Sequence, residues 1–304
     1  MIVIRPTRVS APAKGCVATI GVFDGVHAGH RFLLDEVKRE AVARGLRTMA
    51  VTFDAHPATV TGNGSPQVLT TTDEKLALLE ETGIDECLVV PFTPELAALT
   101  AVRFMQMLHQ QHGVEVLVMG HDHRFGCEQR TDRRFYTQQG ELCGMTVVHA
   151  ERYGEASSSA IRLALKEGHA EQARALLGRP YSLQGPVVDG YKMGRKLGFP
   201  TANVAVAPEK LLPKEGVYAV RVRIGNATDT LRGLMNIGPC PTFEGKNERH
   251  PEVHILDWQG DIYAETLCVE LISRLRDERK FDSVEQLVSQ LKTDVTNVRN
   301  IDIS

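Results

Sequence analysis

The chain has 304 residues, a formal net charge of -3, 42% hydrophobic residues and 24% charged residues. At about 150 residues per domain this length fits two domains, and the slight acidity speaks against a nucleic-acid partner, which would need a basic field. No apolar run approaches the ~20 residues that cross a bilayer, and Met1-Ile2-Val3-Ile4-Arg5-Pro6 lacks the apolar core of a signal peptide, so no membrane partner is expected.

Cys16 to Ile20 is a short apolar run that reads as a buried strand. Gly21-Val22-Phe23-Asp24-Gly25-Val26-His27-Ala28-Gly29-His30 comes next. A helical pattern then places Leu33, Leu34, Val37, Ala41 and Val42 on one face and stops at Gly45. The stretch from Gly21 is therefore a strand-to-helix turn with two histidines at its helical end. A helix N-terminus attracts phosphate through its unbonded N–H groups and its dipole. Glycines let backbone approach a ligand closely, and imidazoles donate to charge that builds on a phosphoryl group. The pattern points to nucleotide chemistry at an α-phosphate. The two histidines also form half of a metal site, but no third ligand is evident nearby.

Arg47 to Phe53 reads as a second strand. A helix follows from Asp73, with Thr71 and Glu74 spaced as a capping box and Gly83 past its end. Cys87 to Pro91 is a third strand. Thr93-Pro94-Glu95 starts a helix expected to run towards Gly113. Val114 to Met119 and Met145 to His149 are further strands, and two short helices follow over Ser159 to Gly168 and His169 to Gly178. Strands alternating with helices imply a parallel sheet covered by helices. From about Tyr181 the pattern changes to strands and turns: Gly216 to Ile224, Leu231 to Ile237, Glu252 to Trp258 and Leu267 to Ile272, with Gln259-Gly260-Asp261 read as a hairpin turn. A last helix, capped near Asp282 or Ser283, carries Val284, Leu287, Val288, Leu291 and Val295 on one face. Close-spaced strands with one packed helix suggest a small antiparallel barrel.

The six cysteines contain no C-x-x-C pair, so neither zinc nor a disulfide framework is suggested, and the cytoplasm is the expected compartment.

Other motifs fall at the ends of these elements. Asp54, His56 and Pro57 follow the second strand, where an open α/β sheet binds its ligands. They read either as an Asx turn or as a wall of a substrate pocket. Gly120-His121-Asp122-His123-Arg124-Phe125-Gly126 follows the fourth; Asp122 and Arg124 suit ribose or phosphate, or simply solvent. Ser157, Ser158 and Ser159 cap a helix, and with Arg162 one turn in they suit a pyrophosphate. In the second half, Gly190, Lys192, Gly194, Arg195 and Gly198 form a glycine-rich cationic loop, although no Walker A pattern occurs. Thr201 and Asn203 project to one face of an extended segment that follows and suit Mg²⁺ and phosphate oxygens; a plain hairpin is the alternative. Glu252 begins a strand, as an edge charge or as a general base.

These motifs together resemble the prokaryotic bifunctional riboflavin kinase/FMN adenylyltransferases, also called FAD synthetases. G-x-F-D-G-x-H-x-G-H, T-F-x-x-H-P, G-x-D-x-x-F-G and S-S-x-x-I-R occur in the family's order in the first half. G-R-x-L-G-F-P-T-A-N, N-I-G-x-x-P-T-F, E-x-H-I-L-D and R-x-E-x-K-F-x-S occur in its order in the second. The resemblance implies an α/β nucleotidyltransferase domain with a Rossmann-like parallel sheet over residues 1–180. It implies a small antiparallel β-barrel flavokinase domain with a C-terminal helix over 181–304. The first would adenylylate FMN to FAD with release of pyrophosphate; the second would phosphorylate riboflavin to FMN. ATP and Mg²⁺ are the implied cofactors, with riboflavin, FMN and FAD as substrates and products, and a homo-oligomer is left open.

By the same resemblance Glu252 matches the kinase's general base, and His27 and His30 the histidines that stabilise the α-phosphate transition state. Gly21, Phe23, Asp24, Gly25, Gly29, Ser158, Ser159 and Arg162 match the first ATP site, and Gly190, Lys192, Gly194, Arg195 and Gly198 the second. Asp54, His56, Pro57, Asp122 and Phe125 match flavin-binding loops, and Thr201 and Asn203 the Mg²⁺ pair. The chain departs from the family pattern at Cys240, where arginine is usual, and at Ala264, where glycine is usual. If position 264 needs a positive φ, alanine costs about 1 kcal/mol there.

Overall fold

The computed structural model describes residues 1–5, 15–60, 62, 66–121, 123–151, 153–189, 193–241 and 247–302, with the backbone alone at 193, 196, 239–241, 247 and 248. Asp122, Gly190 and Lys192, and the side chain of Cys240, lie outside the described residues. The chain divides into two compact units, Met1–Ser158 and Ser159–Ser304.

In the first unit the elements run β1 (Ile2–Ile4), β2 (Cys16–Ile20), α1 (Ala28–Arg44), β3 (Arg47–Phe53), α2 (Pro57–Val60), α3 (Thr72–Glu80), β4 (Glu86–Val90), α4 (Pro94–Ala97), α5 (Ala101–His112), β5 (Val114–Met119), α6 (Arg133–Cys143) and β6 (Thr146–His149). The strands form a six-stranded sheet in the order β1-β4-β3-β2-β5-β6, and every pairing is parallel. Both faces are covered, which is why β2 is buried at every residue rather than at alternate ones. Ala18, Ile20, Met49, Leu88, Phe104 and Leu117 pack on one face, and Val17, Leu34, Val37, Leu79, Val89 and Val116 on the other. The strand order reverses between β2 and β5, and ligands in such sheets sit outside the carboxyl ends of the strands at the reversal.

Cys16 and Cys87 are buried in the sheet. Burial pushes their thiols up to about 12 and about 11, so neither is a nucleophile at neutral pH.

The predicted capping box is present, with Thr71 accepting from the Glu74 N–H and Glu74 accepting from the Thr71 N–H. The single helix expected from Thr93 to Gly113 is instead two, because Thr100 caps a new helix by accepting from the Arg103 N–H. Val42, expected in the buried face of α1, is 83% exposed. The buried stripe is narrower, carried by Leu34, Val37 and Ala41, and Val42 falls a further ~100° around the helix.

The second unit begins with α7 (Ser158–Glu167, its first residue lying in the first unit) and α8 (Ala170–Leu177). It continues with β7 (Ser182–Val188), α9 (Met193–Lys196), β8 (Ala202–Val204), β9 (Gly216–Ile224), β10 (Leu231–Pro241), β11 (Asn247–Ile255), β12 (Thr266–Arg276) and α10 (Val284–Asn300). Its strands close into an antiparallel barrel, β10-β11-β8-β7-β12-β9. Helix α10 is capped by Ser283, which accepts from the Gln286 N–H. It is tied to β12 by Arg276, whose Nε and Nη2 donate to the buried Asp294 carboxylate at 3.0 and 2.8 Å. Arg232 donates to the carbonyls of Val298 and Ile301 at its C-terminal end, where a cation suits the helix dipole.

Gln259-Gly260-Asp261 is not a hairpin turn. β11 pairs with β10 and β8, while β12 pairs with β7 and β9. The connection between them therefore crosses an end of the barrel. Ala264, in this connection, has φ of 64°. Ala264→Gly is expected to stabilise the protein by about 0.5–1 kcal/mol, a rise of roughly 1–4 °C in the melting temperature. A thermal melt without that rise would mean that the left-handed alanine is not strained.

Candidate functional site

In the first unit, the turn after β2 is built from backbone that few residues adopt. Phe23, Gly25 and Val26 have φ of 51°, 85° and 38°; for a β-branched valine this is a strained conformation that only surrounding structure can hold. Phe23 and Val26 are fully buried, and the Val26 N–H donates to the Phe23 carbonyl at 3.0 Å. The Asp24 carboxylate accepts from the N–H groups of Leu69 and Thr70 at 2.8 and 3.0 Å. The Gly25 N–H donates to Thr70 Oγ1 at 3.0 Å. Asp24, matched to the phosphate site on sequence, thus directs its carboxylate into the 69–70 segment and holds the turn.

His27 is the N-cap of α1, its Nδ1 accepting from the His30 N–H at 3.4 Å. Its ring stacks on that of His30 with centroids 3.6 Å apart, and the Phe23 ring meets His30 edge-on at 5.2 Å. Gly29 packs closely here: a Cβ would lie 3.2 Å from the His27 ring and 3.3 Å from the Ala156 carbonyl, so a side chain would press on the ring. Ser158 Oγ donates to the Asp24 carbonyl at 2.9 Å, bringing the serine motif to the same turn. Ser159 and Arg162 lie on α7 in the second unit.

His30 faces a cavity of about 900 Å³ outside the carboxyl ends of β2, β3, β4 and β5. Of the residues singled out on sequence, Gly21, Phe23, His56, Pro57, Arg124 and Phe125 also line it. Asp54 does not; its Oδ1 accepts from the Phe92 N–H at 2.9 Å and fixes the exit of β4. His56 Nδ1 accepts from the Ala58 N–H, an Asx-like turn that shapes the wall. Leu33, Phe53, Phe92 and Phe104 line the cavity as well. Phe53 belongs to the T-F-x-x-H-P stretch read on sequence as a pocket wall, Leu33 read only as the buried face of a helix, and Phe92 and Phe104 lie outside every motif. Tyr136, 1% exposed, holds the 125–130 loop: its hydroxyl accepts from the Phe125 N–H and lies 3.0 and 3.1 Å from the carbonyls of Phe125 and Arg130. The cavity is apolar and aromatic with a few polar groups at its edge, as small-molecule sites are.

In the barrel, register creates the site. Glu252 on β11 pairs with Asn203 on β8 and with Asn236 on β10. The neighbouring residues Ala202, Val253 and Met235 are buried inside, so Asn203, Glu252 and Asn236 form a polar row on the opposite face. Thr201 Oγ1 donates to Glu252 Oε2 at 3.4 Å. Asn236 Nδ2 donates to Glu278 Oε1 at 3.4 Å. Asn236 and Glu278 were visible in sequence only as motif letters; their pairing with the row depends on long-range register.

Gly194 starts the turn ahead of this row. A Cβ there would collide with the Phe199 carbonyl, and the Phe199 N–H donates to the Gly194 carbonyl at 2.9 Å. Gly198 has φ of 81°. Arg195 and Thr201 line a cavity of about 260 Å³ with Pro200, Trp258 and Tyr263. Among the described residues no group of three or more His, Cys, Asp or Glu could hold a metal ion. The oxygens of Thr201 and Asn203 beside Glu252 are instead the hard donors that suit Mg²⁺ shared with phosphates.

A histidine pair at the N-terminal end of a helix, at the carboxyl edge of a parallel sheet, and a barrel with a Thr–Asn–Glu row fit a two-module nucleotide-dependent transferase. Residues 9–162 match the FAD synthetase family model, and residues 177–302 match the riboflavin kinase model. The chain belongs to the family of bifunctional riboflavin kinase/FMN adenylyltransferases. It is 38% identical to the protein of that name from Escherichia coli strain K12, over 95% of this chain and 93% of the relative. It is 36% identical to that from Listeria monocytogenes, over 93% and 91%, and 33% identical to that from Bacillus subtilis, over 91% and 90%. A crystal structure from Streptococcus pneumoniae, described as a macrolide-efflux protein, shares the fold with a TM-score of 0.88 and 32% identity over 99% of this chain and 100% of that one. No helix among the described residues is long and apolar enough to cross a membrane.

Proposed function

We propose that the barrel unit phosphorylates riboflavin to FMN and that the α/β unit adenylylates FMN to FAD. The observation that carries this reading is the register-fixed Thr201–Asn203–Glu252 row, because it brings a carboxylate base beside oxygen donors for a metal-bound phosphate. Glu252 accepts the proton of the flavin 5′-hydroxyl as that oxygen bonds to the γ-phosphorus of ATP; the bond from the γ-phosphorus to its bridging oxygen breaks and ADP leaves. Thr201 orients the carboxylate and, with Asn203, would hold Mg²⁺, which when bound neutralises phosphate charge.

In the α/β unit the phosphate of FMN attacks the α-phosphorus of ATP and pyrophosphate leaves. His30, at the N-terminus of α1, donates to the charge that builds on the α-phosphoryl oxygens, and the aromatic cavity suits the flavin ring. We assign adenylyl transfer to residues 1–180 and kinase activity to 181–304; the two family-model matches, 9–162 and 177–302, support that order. We also place the protein in the cytoplasm, where reduced thiols such as Cys16 and Cys87 persist.

The test is chromatographic analysis of products after incubating the full chain with riboflavin, ATP and Mg²⁺. FMN followed by FAD is expected. FMN alone would overturn the assignment of the first unit, and no product would overturn both.

A further inference from the structure

We propose that Lys75 is a positioning residue for adenylyl transfer, its buried ammonium holding the strand exits that wall the cavity of the first unit. The inference rests on the function proposed above for that unit. Lysine is almost never buried unless its charge is held by partners, yet Lys75 is only 6% exposed. It stands in the first turn of α3, and its Nζ donates to the Phe53 carbonyl at 2.8 Å. Phe53 ends β3 and lines the cavity.

The segment from Leu69 to Lys75 bonds to the exits of two neighbouring strands, β2 and β3, and the second of these, through Asp54, holds the exit of β4. After β2, the Asp24 carboxylate accepts from the Leu69 and Thr70 N–H groups. After β3, the carbonyl of Asp54 accepts from Thr72 Oγ1 at 3.3 Å, next to the Lys75–Phe53 bond. After β4, the Phe92 N–H is held by Asp54. Each of these bonds falls on or beside a cavity aromatic: Phe23, Phe53 and Phe92 all line the cavity. The rings of Phe53 and Phe92 meet edge to face, 5.0 Å apart at 86°. The ammonium thus fixes aromatic walls without touching substrate, and a misplacement near 1 Å of such walls is costly to rate.

Asp24, Asp54 and Cys87 are the titratable groups that face Lys75, and all three favour its charged form. Burial outweighs them and lowers its pKa from the ordinary 10.5. As pH rises, Lys75 therefore loses its proton before exposed lysines do, and the charge-assisted bond to Phe53 weakens.

The experiment follows FAD formation from supplied FMN and ATP by the full chain across about pH 6 to 10, with riboflavin phosphorylation measured alongside. In the wild-type protein, kcat/KM for FMN is expected to fall on the alkaline side below the exposed-lysine range, mainly through KM. Lys75→Met should raise KM for FMN about 10- to 100-fold at neutral pH, abolish the alkaline limb and leave riboflavin phosphorylation unchanged. Asp54→Asn removes a charge that keeps Lys75 protonated, so it should move the limb to lower pH. A direct flavin contact by Asp54 would instead change KM equally at all pH values. A Lys75→Met protein with wild-type KM and an intact limb overturns the proposal. If that variant does not fold, an unmoved limb in Asp54→Asn overturns it. A wild-type protein that makes FMN but no FAD fails the functional reading itself, and the inference falls with it.

Discussion

Glu252→Gln is expected to cut FMN formation by about 10²–10⁴-fold while FAD formation from supplied FMN persists. Glutamine keeps the size of the side chain and an oxygen that can accept from Thr201 Oγ1, which lies 3.4 Å from the carboxylate in the wild type. The β8–β11–β10 register that places Asn203 and Asn236 on either side depends on backbone pairing and is untouched. What is lost is the proposed proton acceptor. Positioned general bases contribute about 10²–10⁴-fold to rate, so kcat should fall by that factor with KM for riboflavin nearly constant. A change confined to KM would make Glu252 a binding group. An equal loss of both activities would mean that the two reactions do not have separate sites. The measurement is steady-state product analysis with riboflavin and with FMN as separate substrates.

Local chemistry was legible in the sequence, and long-range register was not. The turn from Gly21 to His30 could be read because its determinants are local: glycines, an N-cap and an apolar strand before it. The capping box of Thr71 and Glu74 was legible for the same reason. Helix α6 was not foreseen. It carries Gly140, which reads as a breaker but sits where a Cβ would press on Val147 and the Met145 carbonyl, and only Tyr136 and Gly140 of the helix are fully buried. Strand β1 is three residues long and its Ile2 and Val3 are exposed, so it gives no apolar pattern strong enough to see. In the barrel, the polar row could be assembled only from the strand order. Closure places β11 beside β8 and β10, not beside β12, which is next in sequence. That same permutation made the Gln259–Asp261 turn look like a hairpin. At Asp24, matched to a phosphate site by resemblance, and at Asp54, read as an Asx turn or a pocket wall, the carboxylates accept backbone N–H groups and fix the loops.

His30→Ala reverses the pattern expected for Glu252: FAD formation from FMN falls and riboflavin phosphorylation is unchanged. The ring of His30 is held between the stacked His27 ring at 3.6 Å and the edge of Phe23 at 5.2 Å. It faces the cavity at the N-terminal end of α1. A donor fixed in this way needs no reorganisation as charge develops on the α-phosphate, and removal of one such donor typically costs about 10²–10³-fold in kcat. His27 provides the contrast. It is 6% exposed and caps α1 through Nδ1, so His27→Ala should lower activity and also cost about 1 kcal/mol of stability through the lost cap. His30→Ala removes no cap acceptor, because only its backbone N–H takes part in that bond. The pair of variants, measured by FAD synthesis and by thermal melting, therefore separates a ring that acts on the reacting phosphate from one that supports it. An unchanged FAD rate in His30→Ala would remove this histidine from the mechanism. A loss matched by an equal fall in melting temperature to that of His27→Ala would make its role structural.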